Sequence, residues 1–261
     1  SLPMSSLLTF ENGRMEIEQY WSFNQIKVDY KRSKKEFIEI GVDLLKNISK
    51  KYEKLIDNQI LLPLSGGYDS RCIACSLKYF SNLNFTTITS NLHGTGKRDA
   101  QIAKELATNL KVEHRIIRDN NLYKKYFIDM VYLVNGMTFA HLWAMSLNNK
   151  IPNNISLFSG IIADVILRLK SRVIKRELNR KKYDDKLLVK YFINDIITIS
   201  NNLKNLFSIK IKEELKVDEK SFLMQIKDIE EYYHKLSFLF LNNRTRNSLL
   251  IGTKNILGQS R

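Results

Sequence analysis

The fold is decided by one stretch, residues 60–70, which reads ILLPLSGGYDS. Its first part, Ile60–Leu64, is a short apolar run, as expected of a strand that is covered on both faces of a sheet. A serine and two glycines follow, and a helical pattern then extends from Asp69 to Phe80. The stretch therefore predicts a strand, a glycine-rich turn and a helix in direct succession.

The turn between this strand and this helix has the composition of an anion site. The first N–H groups of a helix have no intrahelical partner, and the helix dipole places partial positive charge there. Gly66 and Gly67 let the backbone approach an anion closely, while Ser65 and Ser70 add hydroxyl donors. Asp69 fits beside an anion when a cation bridges the two, and Mg²⁺ prefers carboxylate, water and phosphate oxygens. The loop is thus predicted to hold a magnesium polyphosphate, and it is no Walker loop because Gly-Lys-Ser/Thr is missing.

Beyond the loop, apolar strand patterns alternate with helical patterns. Strands are predicted at Phe85–Thr89, Val112–Ile117 and Ile155–Ser159, and helices at Asp99–Leu110, Leu122–Val134 and Thr138–Asn148. This alternation predicts an α/β fold with a parallel, doubly wound sheet. From Ala163 onward the pattern is helical, so the C-terminal half is predicted to be largely helical.

The region before the loop predicts a hairpin and a helix. Leu7–Phe10 and Met15–Glu18 flank an Asn-Gly turn, which is the strongest short hairpin signal. From Ser33 to Lys54 apolar residues recur every three or four positions, which predicts an amphipathic helix with Ser33 as its N-cap. We therefore divide the chain into a lead-in at 1–32, a nucleotide-binding domain at 33–165 and a helical part at 166–261 that packs on the same body.

Composition narrows the class of protein. The chain has 261 residues, 44% of them hydrophobic, which excludes a disordered tail, and a formal net charge of +15. Such a charge suits nucleic acid, an anionic membrane face or a polyanionic ligand. The basic segment Arg168–Lys186 has the pattern of a solvated helix face. No apolar run reaches the roughly 18–20 residues of a membrane span, so we expect a cytoplasmic protein without membrane contact.

The cysteines and histidines suggest packing roles. Cys72 and Cys75 are the two cysteines, and a zinc or iron–sulfur site needs more soft ligands than they supply. We expect them to pack in the core of a protein of the reducing cytosol. The four histidines are scattered, without the paired spacing of a metal site.

The pattern Ser-Gly-Gly-x-Asp-Ser after a strand resembles the pyrophosphate loop (PP-loop) of the N-type ATP pyrophosphatases, which have the adenine nucleotide alpha hydrolase-like fold. Further stretches resemble the synthetase domain of the asparagine synthetases. They are the hairpin Leu7–Trp21, the second βα unit from His93 to Ala107, the segment Phe158–Asp164 that is similar to Ser-Gly-Glu-Gly-Ala-Asp, and the late Arg-rich segment Asn243–Arg246. The chain is therefore identified as a divergent member of the asparagine synthetase-like branch.

This resemblance implies an ATP-dependent carbon–nitrogen ligase of the amidotransferase type, as in amino-acid biosynthesis. A substrate carboxylate would attack the α-phosphorus of ATP, giving an acyl-adenylate and pyrophosphate. Ammonia or an amine would then attack the acyl group and release AMP. The implied partners are a small-molecule carboxylate, the nitrogen donor and a separate glutaminase domain or subunit, with ATP and Mg²⁺ as cofactors.

The resemblance also implies roles for single residues. Ser65, Gly66, Gly67 and Ser70 would bind the β- and γ-phosphates. Asp69 and Asp164 would be the catalytic residues that hold Mg²⁺ on either side of the nucleotide. The adenosine and α-phosphate would be contacted by Leu64, Ser159 and Gly160.

The chain departs from the family pattern at several positions. Ile161 and Ile162 replace Glu and Gly, and Arg71 replaces a small residue. The resulting Tyr-Asp-Ser-Arg sequence resembles that of divergent asparagine synthetase-like proteins of surface-polysaccharide or peptide-modification pathways. The family normally has a glutaminase domain before the position of Ser1 and a helix with a catalytic lysine after that of Arg261. We therefore expect either a fragment or a protein reduced to nucleotide binding.

Two other functions use the same loop. A tRNA lysidine synthetase or tRNA thiolase would account for the positive charge, although a thiolase needs a reactive cysteine near the nucleotide. A non-catalytic nucleotide-binding remnant would account for Ile161 and Ile162. Nucleic acid is the less favoured partner, because the Tyr20-Trp21 pair and the Ser159–Asp164 segment resemble the asparagine synthetases.

Overall fold

The computed structural model describes residues 2–27, 29, 31–91, 96–118, 122–133, 142–148, 150–151, 154–160, 184–198 and 219–242. The chain divides into two compact units, and each is described by itself. The first unit contains Ser1–Tyr30 and Asp164–Thr245, and the second contains Lys31–Ala163 and Arg246–Arg261.

The first unit begins with the predicted hairpin. Strand β1 is Ser6–Glu11 and strand β2 is Arg14–Gln19, paired antiparallel. The two residues between them, Asn12 and Gly13, have φ angles of 50° and 76°. Left-handed backbone at both positions of a two-residue turn is typical of a type I′ hairpin, whose twist matches that of the strands. The Asn-Gly signal is thereby confirmed.

A parallel four-stranded sheet is the centre of the second unit. Its strands are β3 (Ile60–Pro63), β4 (Phe85–Asn91), β5 (His114–Arg118) and β6 (Ser156–Leu157), in the spatial order β5-β4-β3-β6. The α/β class and the parallel sheet are confirmed. The last strand is shorter than predicted, because β6 pairs with β3 only at Ile60 and Leu61 before β3 approaches the loop.

Helices cover both faces of this sheet. They are α2 (Tyr68–Phe80), α3 (Gly96–Leu110), α4 (Leu122–Leu133) and α5 (Leu142–Asn148), while α1 (Lys34–Glu53) packs against α2. On one face Ile60, Leu62 and Phe85 are buried with residues of α2 and α3, among them Leu77 and Ala103. On the other face the buried set contains strand residues and residues of α4 and α5: Leu61, Ile88, Met130, Ala144 and Leu147. The doubly wound arrangement follows from this burial on both faces.

Helix α1 begins as predicted but is less covered than its pattern suggests. Ser33 caps it in a capping box, because its Oγ accepts from the Glu36 N–H while the Glu36 carboxylate accepts from the Ser33 N–H. Phe37, Leu44 and Ile48, on its apolar face, are about half exposed. Tyr52 near its end contacts the ring of Phe158 at a centroid distance of 5.2 Å.

The helical part of the first unit contains α6 (Asp185–Thr198), α7 (residues 219–226) and α8 (Tyr232–Leu239). Phe192 of α6 is fully buried and packs edge-on against Phe222 and Phe240. Lys235 of α8 forms an ion pair with Asp185 at 2.8 Å. None of the helices in the described part of the chain has the length and apolar character that a membrane crossing requires.

Several predictions concern residues outside the described ranges. These are Asp164, Ile161 and Ile162, the segment His93–Thr95, most of Arg168–Lys186 and the segment Asn243–Arg246. The domain boundaries 1–32, 33–165 and 166–261 also stay a prediction.

Candidate functional site

The topology of the sheet determines where a ligand site can form. The chain moves from β3 to β4 and β5 on one side, and then returns to place β6 on the other side of β3. The order of strands along the sheet therefore reverses at β3, which has β4 on one side and β6 on the other. In open α/β sheets, ligands bind at such a switch point, outside the carboxyl ends of the strands. The loop after β3 and the segment Phe158–Gly160 after β6 both lie at this edge.

Two serines hold the loop after β3 together. The Ser65 N–H donates to Ser70 Oγ at 3.1 Å, and the two hydroxyl oxygens are also 3.1 Å apart. The Gly67 N–H donates to Ser65 Oγ at 3.1 Å. Ser70 is buried, with 6% of its surface exposed. Ser70 Oγ also donates to the carbonyl oxygens of Ser65 and Gly67, at 3.4 and 3.5 Å. Hydroxyl groups can both donate and accept, so the pair shapes the loop through several hydrogen bonds.

The beginning of α2 is arranged as an anion site would require. Gly67 is the N-cap residue of this helix, and it has no side chain with which to cap the first N–H groups. Those groups carry the positive end of the helix dipole. Asp69 lies in the first turn. A carboxylate there stabilises the helix by itself, and carboxylate oxygens are among the ligands that Mg²⁺ prefers.

Gly160 brings the segment after β6 against this helix. A Cβ at position 160 would lie 2.7 Å from the Ser70 nitrogen and 2.9 Å from the carbonyl carbon of Asp69. Real Cβ atoms essentially never come so close to backbone atoms. The backbone of Gly160 therefore lies directly on the first turn of α2, and the structure brings Ser65–Ser70 and Gly160 together.

Asp99 is a residue of this edge that sequence reasoning gave no role. A Cβ at Gly66 would lie 2.5 Å from Asp99 Oδ1 and 3.2 Å from Ile102 Cδ1. Asp99 is in the first turn of α3, which follows β4, the neighbour of β3. Its position in the sequence could have indicated this, because Asp99 begins the predicted helix after the second strand. Helices that follow adjacent parallel strands begin at the same edge of the sheet.

The other proposed ligand residues differ in their surroundings. Leu64 is buried in the core, with its N–H donating to the Ile88 carbonyl and its carbonyl accepting from Thr89 Oγ1. Ser159 is half-buried beside Gly160. The adenosine contacts of Leu64, Ser159 and Gly160 stay predictions, as does the metal role of Asp164, which is outside the described ranges.

The residues at this edge fit a nucleotide polyphosphate with its metal ion. A backbone without Cβ atoms at positions 66 and 67, two hydroxyl groups and an uncapped helix N-terminus form a donor set for phosphate oxygens. Asp69 supplies one hard oxygen ligand of the type that Mg²⁺ prefers. Within the described ranges, no three His, Cys, Asp or Glu side chains are grouped as a metal site.

Comparison with protein families identifies the segment that carries this geometry. Residues 55–148 match the family model of asparagine synthase. The matched segment contains β3, the serine–glycine loop, α2 and the elements up to α5, while Ser159 and Gly160 follow it. The resemblance to asparagine synthetases is thereby confirmed over this segment. Comparison of the chain with curated proteins gives no match.

The cysteines of α2 lie close to the loop Ser65–Ser70 but do not resemble an activated pair. Both are free thiols, and Cys75 packs against the core beneath the sheet. Burial raises the pKa of the Cys75 thiol, and Cys72 adds to the increase while Arg71 opposes it. Because the thiolate is the nucleophile, a raised pKa makes Cys75 less reactive at neutral pH.

Proposed function

We propose that this protein binds ATP with Mg²⁺ and uses it to activate a carboxylate, releasing pyrophosphate, before an amide is formed with ammonia or an amine. The carboxylate oxygen would form a bond to the α-phosphorus as the bond to pyrophosphate breaks. The nitrogen nucleophile would then displace AMP from the acyl group. We further propose that this occurs in the cytoplasm, where Cys72 and Cys75 would stay reduced.

One observation carries the proposal. The loop Ser65–Ser70 leaves the central strand at the switch point of a parallel sheet, inside the segment that matches asparagine synthase. The family match supports an ATP-dependent ligase, and the loop supports the polyphosphate as the part of ATP that this edge would bind. Positioning and neutralisation of charge would supply most of the catalysis.

Each described residue then has a defined task. The backbone of Gly66 and Gly67 and the hydroxyls of Ser65 and Ser70 would bind the β- and γ-phosphates. Asp69 would hold Mg²⁺, which when bound neutralises charge on the phosphates. Gly160 would keep the segment after β6 against α2, so that groups on that segment face the α-phosphate.

The test begins with calorimetric titration of MgATP, with GTP as the competing nucleotide. We expect saturable ATP binding by the wild-type chain and at least about tenfold weaker binding by Asp69→Ala, because a carboxylate that holds a cation on the phosphates is lost. Asp129→Ala is the matched control, since it removes one exposed carboxylate from α4 on the other face of the sheet. Equal binding by wild type and Asp69→Ala, or absence of binding by wild type, would contradict the proposal.

The reaction itself is tested by pyrophosphate release. A set of small carboxylates is incubated with ATP, Mg²⁺ and ammonium, and AMP and pyrophosphate are both measured. The proposal expects carboxylate-dependent formation of the two products in equal amounts. Formation of ADP and phosphate in their place would show cleavage at the wrong bond.

An RNA-modifying enzyme is the second candidate, because the net charge of +15 suits a polyanion. The raised pKa of Cys75 argues against a tRNA thiolase, because that enzyme needs a reactive cysteine near the nucleotide. The two candidates differ in their response to salt: RNA binding that falls steeply with salt, together with pyrophosphate release that depends on RNA, would favour the second. MgATP binding without pyrophosphate release under any condition would favour a nucleotide-binding remnant.

A further inference from the structure

The side chain of Arg71 is held at the N-terminal end of α2 by two contacts. Its Nε donates to the carbonyl oxygen of Gly67 at 3.1 Å. Its guanidinium carbon lies 4.4 Å from the centre of the Tyr68 ring. Helical side chains lean toward the helix N-terminus, so a residue one turn into α2 can reach the loop in this way.

A cation at this end of a helix needs an explanation. The helix dipole is positive there and favours anions, so a guanidinium is unfavourable at the site where Asp69 is favourable. Ion pairs elsewhere, such as Lys235 with Asp185, join opposite charges. Arg71 forms no ion pair with any residue of the described ranges. Within the described ranges, its charge therefore has no direct carboxylate contact.

The contact with Gly67 leaves most N–H donors of the Arg71 guanidinium available. Guanidinium has five N–H groups, and the contact with Gly67 uses the one on Nε. The two Nη groups are thus kept near the loop, with the guanidinium carbon over the Tyr68 ring. Planar donors of this type bind phosphate oxygens in pairs. Tyr68 is 69% exposed, so the stacked pair lies at the open side of the loop rather than in the core.

We propose that Arg71 is a substrate-binding residue that contacts the terminal phosphates of ATP and the pyrophosphate formed from them, and that Tyr68 holds the guanidinium in place for this contact. The inference rests on the proposed function for its nucleotide. It adds a positive side chain to a loop whose other anion-binding groups are backbone N–H groups and hydroxyls. It also gives a task to Arg71, which departs from the small residue of the family pattern.

The test titrates inorganic pyrophosphate, and separately MgATP, into the wild-type chain and its Arg71→Ala and Arg71→Lys variants. We expect Arg71→Ala to weaken pyrophosphate binding about tenfold to a hundredfold, the range of one or two charge-assisted hydrogen bonds. Arg71→Lys keeps the charge but loses the planar donors and is expected to recover part of the affinity. Wild-type affinity should fall with added salt more steeply than that of Arg71→Ala.

The matched control is Lys78→Ala. Lys78 is exposed in the last turn of the same helix, so its removal changes net charge equally but far from the loop. Its pyrophosphate affinity should stay within about twofold of wild type, since charges beyond a Debye length of ~10 Å are largely screened. Melting curves of every variant separate weaker binding from loss of fold.

A second pair of variants tests the role of Tyr68. Tyr68→Phe keeps the ring on which the guanidinium stacks, whereas Tyr68→Leu removes the π-face. We expect Tyr68→Phe to bind pyrophosphate about as wild type does and Tyr68→Leu to bind it severalfold more weakly. Equal affinities of these two variants would overturn the role of Tyr68.

The outcomes separate this inference from the proposed function. Unchanged pyrophosphate and MgATP affinities in Arg71→Ala, with wild type binding both, would overturn the role of Arg71 and leave the proposed function standing. Pyrophosphate binding that depends on Arg71, in a chain that binds no ATP, would support Arg71 as an anion contact and overturn the proposed function. Binding of neither by wild type would overturn both.

Discussion

Gly160 and Ser70 are in direct backbone contact, because a Cβ at position 160 would lie 2.7 Å from the Ser70 nitrogen. The two residues come from different strand–helix connections, one after β6 and the other after β3. Their contact joins the two sides of the switch point. It also means that any side chain at position 160 must displace backbone atoms rather than the end of a flexible side chain.

Gly160→Ala should therefore disturb the loop. We expect a loss of unfolding free energy of about 1–3 kcal/mol, typical of an overpacked site, and MgATP binding weakened at least tenfold. Thermal melting and calorimetry measure the two effects. Gly41→Ala is the control, since a Cβ at this position in α1 meets no atom within 4 Å, and it should gain about 0.5–1 kcal/mol as glycine leaves a helix. Wild-type stability and binding in Gly160→Ala would contradict the observed contact.

Gly66→Ala should be destabilising for a different reason. Its new Cβ would meet Asp99 Oδ1 at 2.5 Å, and this atom can move away, whereas the Asp99 Cα at 3.3 Å cannot easily do so. The double variant Gly66→Ala/Asp99→Ala should recover only part of the stability lost in Gly66→Ala, because it removes the contact with Oδ1 and leaves the contact with the Asp99 Cα. Additive effects in this double-mutant cycle, measured by denaturant unfolding, would show that the two residues are not coupled.

Ser70→Ala should loosen the loop without unfolding the helix. The Ser65 N–H loses its acceptor, and an unsatisfied donor in a buried site costs about 1–3 kcal/mol. Ser76 is the matched control, because it is equally buried at 6% and lies in the same helix, but its Oγ only donates to the Cys72 carbonyl. A hydrogen bond from a serine hydroxyl to the carbonyl one turn earlier in the same helix contributes little to stability. We expect Ser70→Ala to bind MgATP more weakly than wild type and Ser76→Ala to bind it as wild type does. Equal binding by these two variants would contradict this.

Stability should fall on mild acidification because of His114. Its Nδ1 is 2.9 Å from Thr87 Oγ1, and its Nε2 is buried without a hydrogen-bond partner in the described structure. Burial, with a smaller effect from the charge of Lys104, lowers the pKa of this histidine below its ordinary value of about 6.5. The unfolded chain then binds a proton more readily than the folded one. The stability that depends on neutral His114 is therefore fully present above the pKa of this histidine in the unfolded chain. It is lost as the pH falls toward the lower pKa of His114 in the folded chain.

The measurement is urea unfolding from pH 7.5 to 5.5 on wild type and His114→Asn. The wild-type unfolding free energy should decrease over this range more than that of the variant, which lacks the titrating group. Parallel curves for the two proteins would show that His114 does not cause the dependence.

Local sequence signals predicted individual elements well. Asn12-Gly13 marks the hairpin turn, Ser33 caps α1, and the apolar run ending at Leu64 is the central strand. Each of these signals acts within a few residues, through backbone conformation or one hydrogen bond. That is why the positions of the turn, the cap and the strand can be predicted without knowledge of the fold.

The contacts between elements could not be predicted in the same way. The approach of Asp99 to Gly66 depends on β4 lying beside β3, and that of Gly160 to Ser70 depends on β6 lying on the other side. Strand order is a property of the whole sheet, and residue spacing does not contain it. The apolar periodicity of α1 likewise reports an amphipathic helix but not how much of its face is covered, and Phe37 stays 48% exposed.

The late position of β6 along the chain has a consequence for synthesis of the protein. Domains fold as the chain leaves the ribosome, N-terminal parts first, so β3, β4 and β5 emerge well before Ser156. Until then the carbonyl groups of Gln59 and Leu61, which accept from the Ser156 and Phe158 N–H groups, are unpaired on an apolar strand edge. Such an edge is a template for association with other chains. The residues that pair with this edge are followed directly by Gly160. A nascent chain therefore covers the exposed edge and brings Gly160 to the candidate site in the same step.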